Sequence, residues 1–129
     1  NNSTGLRKTI QSVIAQTYNN IEYIVIDGGS TDDSKSIIEE YEKDIDFWVS
    51  EPDGGIYPAM NKGTSHAHGD YCIYMNSGDT FYSKDVLQKV VDSNPKEDIV
   101  CGDLCICDNI IPNPDEAQFT IKLHSYVQH

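Results

Sequence analysis

The feature that most constrains the fold is a strand-like run that ends in a glycine-rich acidic loop and leads into an amphipathic segment. Residues 21–26 (IEYIVI) are β-branched and aromatic, and the loop of residues 27–32 (DGGSTD) follows them directly. Ile37, Ile38 and Tyr41 then share one face of a predicted helix that carries glutamates on the other face. Strands that alternate with such helices indicate an α/β protein with a mostly parallel sheet and helices on both faces.

The same alternation continues along the chain. A first helix with polar capping residues at 1–4 carries apolar residues at helical spacing: Leu6, Ile10, Val13 and Ile14. Later segments predict strands at 46–50 and 71–75, a helix at 56–67, a helix capped by Ser83, and strand material at 99–107 and 110–111. One domain over residues 1–111 is therefore expected. Residues 112–129, which begin Pro-Asn-Pro, show no clear period.

Three loops rich in small and acidic residues follow three of the predicted strands. They are residues 27–32, 51–55 (EPDGG) and 76–79 (NSGD). Any one of them could be a simple turn or helix cap. Because the carboxyl ends of parallel strands meet at one edge of a sheet, we expect the three loops to lie together and to form a binding site.

The charge of the chain limits what such a site binds. Nine Lys and Arg residues against 21 Asp and Glu residues give a net charge of −12, which opposes binding to nucleic acid. The chain lacks both the G-x-G-x-x-G and the G-x-x-x-x-G-K-[ST] phosphate-binding motifs. A phosphorylated ligand would be repelled unless a divalent cation, helix N-termini or nearby Lys and Arg side chains offset the negative charge. Asp79 with Asn76 could supply oxygen ligands for such a cation.

Residues 12–34 (SVIAQTYNNIEYIVIDGGSTDDS) closely resemble the first conserved block of family 2 glycosyltransferases. Residues 50–63 (SEPDGGIYPAMNKG) and 68–79 (HGDYCIYMNSGD) are similar to the donor-binding and DxD-containing blocks of a bacterial branch. The resemblance implies the GT-A fold, the Rossmann-like fold of nucleotide-diphospho-sugar transferases. It also implies that the fold lacks its first strand in these residues, that 1–111 is a partial GT-A domain, and that 112–129 begin an acceptor-side region or form an irregular tail.

The function that the resemblance implies is metal-dependent, inverting transfer of a sugar from a nucleotide-diphosphate sugar to a glycan or lipid-linked acceptor in polysaccharide biosynthesis. A UDP-sugar is the favoured donor and Mn²⁺ or Mg²⁺ the implied cofactor. By the matched positions, the metal ligand would be Asp79. The donor-binding residues would be Asp27, Gly28, Gly29, Ser30, Asp53 and Asn76. Lys62, on the predicted helix after the second loop, is a secondary donor-binding candidate because its ammonium group could contact a phosphate.

Two departures from the family pattern keep other functions open. Many relatives carry Asp-Asp where this chain has Asp27-Gly28, and Asp-x-Asp-Asp where it has residues 76–79. A non-catalytic nucleotide-binding module of the same fold, or a nucleotidyltransferase, is the alternative. No general base is assigned, since Asp103, Asp108, Asp115 and Glu116 qualify by residue type alone.

We expect a cytoplasmic protein that acts at the inner face of the membrane, with any peripheral membrane association made through regions outside this chain. No run approaches the roughly 18 apolar residues of a membrane span. Two weaker metal hypotheses concern the C-x₃-C-x-C of Cys101, Cys105 and Cys107 and the H-x-H of His66 and His68. Buried thiols, and histidines at a helix end, are the favoured interpretations.

Overall fold

The computed structural model describes residues 1–100, 104–106, 109–111 and 123–125. Its helices are α1 (Ser3–Ile14), α2 (Ser34–Glu40), α3 (Ile56–His66) and α4 (Val86–Asp92), with a 3₁₀ turn at Glu42–Asp44. Its strands are β1 (Ile24–Asp27), β2 (Phe47–Ser50), β3 (Tyr71–Cys72), β4 (Ile99–Val100), β5 (Leu104–Ile106), β6 (Asn109–Ile111) and β7 (Leu123–Ser125). The predicted alternation through residue 100 is confirmed, although β1 and β3 are shorter than expected. The predicted domain boundary after residue 111 stays a prediction, because residues 112–122 lie outside the described part of the chain.

The helix starts agree with the predicted polar cap at α1 and differ from it at α4. Asn2 caps α1, where its side-chain oxygen accepts a hydrogen bond from the N–H of Gly5 at 3.1 Å. The cap position of α2 is Asp33, and that of α4 is Asp85 rather than Ser83. Ser83 instead donates its hydroxyl to the Asp85 carboxylate, so it stabilises the turn before the helix. Within the described residues, no helix is long and apolar enough to cross a bilayer.

The parallel pairing that the sequence predicts is found between β1 and β2. Their register runs from Ile24 opposite Phe47 to Asp27 opposite Ser50, and the N–H of Glu51 extends it by donating to the Asp27 carbonyl at 3.0 Å. The other pairings of described strands, β3–β7, β4–β7 and β5–β6, are antiparallel. The fold is therefore α/β with a parallel sheet, and β1–β2 is the parallel part that the structure describes.

Helices cover both faces of β1, as predicted. Val25 joins the buried cluster with Ile10 of α1 and Ile38 of α2 on one face. On the opposite face, α3 brings Gly63 so close to the strand that a Cβ atom there would lie 3.5 Å from Ile26 and 4.0 Å from Ile24. The strand is thus sandwiched between α1 and α2 on one side and α3 on the other.

The buried core lies on the α1–α2 side of the sheet. Ile10 and Ile38 are completely buried, and Val25, Ile37 and Ile45 complete the cluster. Removing a side chain of this size from water contributes about 1.5–3 kcal/mol. Ile14 is 39% exposed, although the apolar spacing of α1 predicts that it faces the core. This core anchors the loop that follows β1.

Candidate functional site

A cavity of about 1010 Å³ lies beside β1. Its polar end is formed by residues 27–30 and 76–77, and apolar side chains of α1, β1, α3 and residues 71–75 line much of the rest. Its described lining contains the acidic residues Glu22, Asp27 and Asp70 but no Lys or Arg. An anionic ligand would therefore meet no cationic side chain from that lining.

Asp27 organises the first loop. It is 8% exposed, and its carboxylate accepts hydrogen bonds from the Ser30 N–H at 3.1 Å, the Ser30 hydroxyl at 2.5 Å and the Ser50 hydroxyl at 2.7 Å. Burial by itself would raise the pKa of Asp27, but the hydrogen bonds from Ser30 and Ser50 outweigh it and lower the pKa below its ordinary value of 3.8. The carboxylate is therefore ionised at neutral pH and held in one orientation.

The first two loops pack against each other through glycines. A Cβ atom on Gly28 would lie 2.9 Å from both carboxylate oxygens of Asp53. Gly29 has a φ of +80°, and a Cβ there would lie 3.0 Å from the backbone nitrogen of Pro52. This close approach gives a physical reason for Gly28, because the Asp53 side chain occupies the space that a Cβ atom would need.

The Asp53 carboxylate and Lys62 both have partners within the second loop region. Asp53 accepts a hydrogen bond from the Gly55 N–H at 2.9 Å, which shapes the entry into α3. The Lys62 ammonium lies 2.6 Å from Glu51 Oε1. The prediction that Lys62 contacts a phosphate stays untested, and the structure engages it with Glu51 at the start of the loop.

The third loop is a tight turn closed by Asp79. The Asp79 N–H donates to the Asn76 carbonyl at 2.9 Å, and its carboxylate accepts from the Asn76 N–H at 3.2 Å. Gly78 adopts a φ of +111° within this turn, and Asp79 itself is exposed. No group of three or more His, Cys, Asp or Glu side chains suited to a metal ion occurs in the described part of the chain. Asp79 is the carboxylate of this turn to which the sequence assigns the metal, and that assignment stays a prediction.

The beginning of the chain ties the first loop to the third, a connection that the sequence analysis missed. The side-chain oxygen of Asn1 accepts from the Thr31 N–H at 2.7 Å. The Asn2 amide donates to the Ser77 carbonyl at 2.9 Å, and the Ser77 hydroxyl donates back to the Asn2 carbonyl at 2.9 Å. With the Gly28–Asp53 contact, these bonds bring the three predicted loops together.

The residues behind the weaker metal hypotheses have other partners. His66 stacks on Phe47 with ring centroids 3.9 Å apart, whereas the His68 ring lies 2.8 Å from Glu22. The hydrogen bond from His68 lowers the pKa of Glu22.

Several candidates cannot be placed against the site. Cys105 lies on β5. Cys101, Cys107, Asp103, Asp108, Asp115 and Glu116 lie outside the described residues.

Solved structures and curated proteins resemble this chain. The crystal structure of Staphylococcus aureus TarS residues 1–349 in complex with UDP matches the fold of this chain with a TM-score of 0.61 and 24% sequence identity. The match covers 70% of this chain and 28% of the TarS chain. An uncharacterised glycosyltransferase of Mycobacterium tuberculosis H37Rv is 46% identical over 94 residues, which are 72% of this chain and 36% of that protein. Glycosyltransferase GlyA of Streptococcus pneumoniae is 33% identical over 93 residues, 67% of this chain and 13% of that one.

These matches cover only part of each relative, since the chain spans about a third of the length of the first curated proteins it matches. The family model described as glycosyl transferase family 2 matches residues 1–115. That match covers most of the 129 residues and includes all three loops. The fold, the loops and the family match agree, and the chain belongs to glycosyltransferase family 2.

Proposed function

We propose that the protein containing these residues transfers a sugar from a nucleotide-diphosphate sugar, with UDP as the favoured nucleotide, to a glycan or lipid-linked acceptor. The family match and the relatives named as glycosyltransferases support sugar transfer. The observation that carries the proposal is the meeting of the loops 27–32, 51–55 and 76–79, of which residues 27–30 and 76–77 also line one large cavity.

The roles of the loops follow from their chemistry. The ionised, rigidly held Asp27 and the adjacent Asp53 present acceptors to the N–H and hydroxyl groups of a nucleoside. Gly28 and Gly29 let a ligand approach the backbone closely, and Ser30 fixes the loop by binding Asp27. The turn at Asn76–Asp79 then faces the diphosphate end of the donor.

A divalent cation, Mn²⁺ or Mg²⁺, is part of the proposal for an electrostatic reason. The described cavity lining has three acidic residues and no Lys or Arg, so a diphosphate would be repelled without a counter-charge. Asp79 would hold the cation with the diphosphate oxygens and water. The cation would act there as a Lewis acid that neutralises the leaving diphosphate.

We further propose that transfer inverts the anomeric configuration and takes place on the cytoplasmic side, at the inner face of the membrane. Inversion by direct displacement requires a carboxylate within hydrogen-bond reach of the acceptor hydroxyl. NMR of the product's anomeric proton tests this point, and a product with the donor's own configuration would contradict it.

Calorimetry of the complete protein with Mn²⁺ and a panel of nucleoside diphosphates tests the donor proposal. UDP is expected to bind in the presence of the metal and to lose affinity when the metal is chelated. Asp79→Ala is expected to weaken metal-dependent binding about tenfold or more, which corresponds to about 1.4 kcal/mol.

Asp92→Ala is the matched control, because Asp92 is an exposed acidic residue whose carboxylate accepts from Gln88 on α4. It removes the same charge and should leave UDP binding unchanged. Equal losses in the two variants would contradict the role of Asp79. Absence of metal-dependent binding to every nucleotide in the panel would overturn the proposal.

A non-catalytic module of the same fold is favoured by one observation, the lack of a three-ligand acidic cluster in the described part of the chain. Slow hydrolysis of the donor without an acceptor separates the two functions. A catalyst releases UDP from the UDP-sugar, whereas a binding module leaves it intact.

A further inference from the structure

Helix α1 and the turn that follows it carry three polar side chains that meet the second half of the described chain. Thr9, Ser12 and Gln16 are spaced i, i+3 and i+7, so they lie along one side of α1 and its C-terminal extension. We call these three residues the polar stripe. Thr9 and Gln16 are 4% and 8% exposed, which is unusual for polar residues and requires that their hydrogen bonds be satisfied.

Thr9 and Ser12 bind the backbone of the third loop and of the residues just after it. The Thr9 hydroxyl accepts from the Gly78 N–H at 2.9 Å and has the carbonyls of Gly5 and Asn76 within 3.4 Å as acceptors for its own proton. The Ser12 hydroxyl accepts from the Phe81 N–H at 2.7 Å. Thr9 therefore contacts both sides of the Asn76–Asp79 turn.

The side-chain amide of Gln16 makes two hydrogen bonds to the backbone farther along the same segment. Its nitrogen donates to the Ser83 carbonyl at 2.7 Å, and its oxygen accepts from the Leu87 N–H at 3.1 Å. The backbone N–H of Thr17 adds a bond to the Lys84 carbonyl at 2.7 Å. Each of these contacts joins positions 67 to 71 residues apart in the sequence.

Residues 73–85 form neither a helix nor a strand, so no regular backbone ladder fixes their path. The polar stripe supplies the missing bonds from a helix that is itself anchored in the core through Ile10. The first loop, in contrast, is held by Asp27, Ser30 and Ser50 without help from the stripe. The stripe therefore sets where the third loop lies relative to the first.

We propose that the polar stripe, with Thr9 as its central member, positions the Asn76–Asp79 turn for the diphosphate and its cation. Thr9 acts through the Gly78 and Asn76 backbone and does not itself touch the donor. This inference rests on the proposed function, and it assigns the diphosphate end of the site to the stripe and the nucleoside end to the loops 27–30 and 51–55.

The test compares two ligands that differ only in the diphosphate. In the complete protein, Thr9→Val keeps the shape of the side chain but removes the acceptor for the Gly78 N–H. The affinity for UDP with Mn²⁺ is expected to fall about fivefold, as the loss of one hydrogen bond predicts, while the affinity for uridine stays within about twofold. Thr9→Ser keeps the hydroxyl and should restore the wild-type ratio of the two affinities.

Ile10→Val is the matched structural control, since Ile10 is the next residue of the same helix and is completely buried. It should lower the melting temperature without changing the ratio of UDP to uridine affinity. Ser12→Ala provides a second stripe variant if Thr9→Val does not fold, and it is expected to lower the same ratio.

The outcomes separate this inference from the proposed function. If the wild-type protein does not bind UDP with metal, the proposed function fails. If the wild type binds UDP and the stripe variants keep its UDP-to-uridine ratio, the proposed function survives and the positioning role is overturned. A loss shared equally by both ligands would show a merely structural role and would also overturn it.

Discussion

The two halves of the well-described region are built differently. The first 50 residues contain the whole described apolar core, including Ile10, Ile38 and Val25. None of residues 51–100 is buried, and this second half carries most of the exposed large hydrophobic side chains of the described region: Ile56, Tyr57, Tyr82, Val91 and Ile99. The two ends of the candidate site are consequently held by different forces.

The first loop follows a strand whose side chains are packed between helices, so the core determines where Asp27 lies. The third loop belongs to the half without buried residues and depends on hydrogen bonds from the start of the chain and from the polar stripe. Substitutions in the core should therefore affect the stability of the protein most. Substitutions in the second half should affect local geometry.

The largest expected effect is in the core. Ile38→Ala removes a completely buried side chain and should lower the free energy of unfolding of the complete protein by about 2–5 kcal/mol. Leu87→Ala, at a half-buried position of α4, is the comparison and should cost markedly less. Urea denaturation followed by circular dichroism measures the free energy of unfolding of both variants. Equal losses would contradict the claim that the apolar core lies in the first half.

A smaller effect is expected where the first two loops meet. Gly29→Ala places a Cβ 3.0 Å from the Pro52 nitrogen at a φ of +80°, so it should lower the free energy of unfolding by about 1–2 kcal/mol. Gly69→Ala, where the new Cβ makes an ordinary 3.5 Å contact with the Tyr71 carbonyl, is the control. A Gly29 variant as stable as the Gly69 variant would show that the two loops do not require this close approach.

The smallest effect tests the hydrogen bonds around Asp27. Ser50→Ala removes the hydroxyl that donates to the Asp27 carboxylate at 2.7 Å, and it should cost about 1 kcal/mol near pH 7. Because the folded protein lowers the pKa of Asp27 below 3.8, the stabilisation is present above about that pH and is lost as the pH falls through the folded pKa.

The difference between wild type and Ser50→Ala should therefore shrink below about pH 4, while NMR should show the Asp27 pKa rising in the variant. Ser36→Ala, at an exposed position of α2, should show no comparable pH dependence. A difference that stays constant down to pH 3 would mean that Ser50 acts by packing rather than through the carboxylate.

Much of the framework could be predicted from local patterns. The β-branched run before Asp27, the glycines after it and the amphipathic helix at Ile37–Tyr41 are short-range signals, and the structure confirms the strand, loop and helix. The predicted helix cap at Ser83 was wrong because the serine bonds the side chain of the neighbouring Asp85. Local sequence narrows a helix start to a few residues without selecting which polar side chain caps it.

The partners of individual site residues could not be predicted. Lys62 lies against Glu51, Gly28 makes room for Asp53, and Thr9 binds Gly78. The apolar periodicity and the polar cap of the first helix give no reason to select Thr9, Ser12 and Gln16. Their i, i+3, i+7 spacing was the available signal, but polar residues on a helix usually face solvent.

The sequence by itself determined the α/β alternation, the family and the three loops, because these depend on residue type and on the order and spacing of short segments along the chain. Only the tertiary structure decided that α1 holds the third loop and that the glycines of the first loop fit against the second. Those contacts join residues up to 75 positions apart, and a hydrogen bond or a steric limit exists only when folding brings its two atoms within a few ångströms.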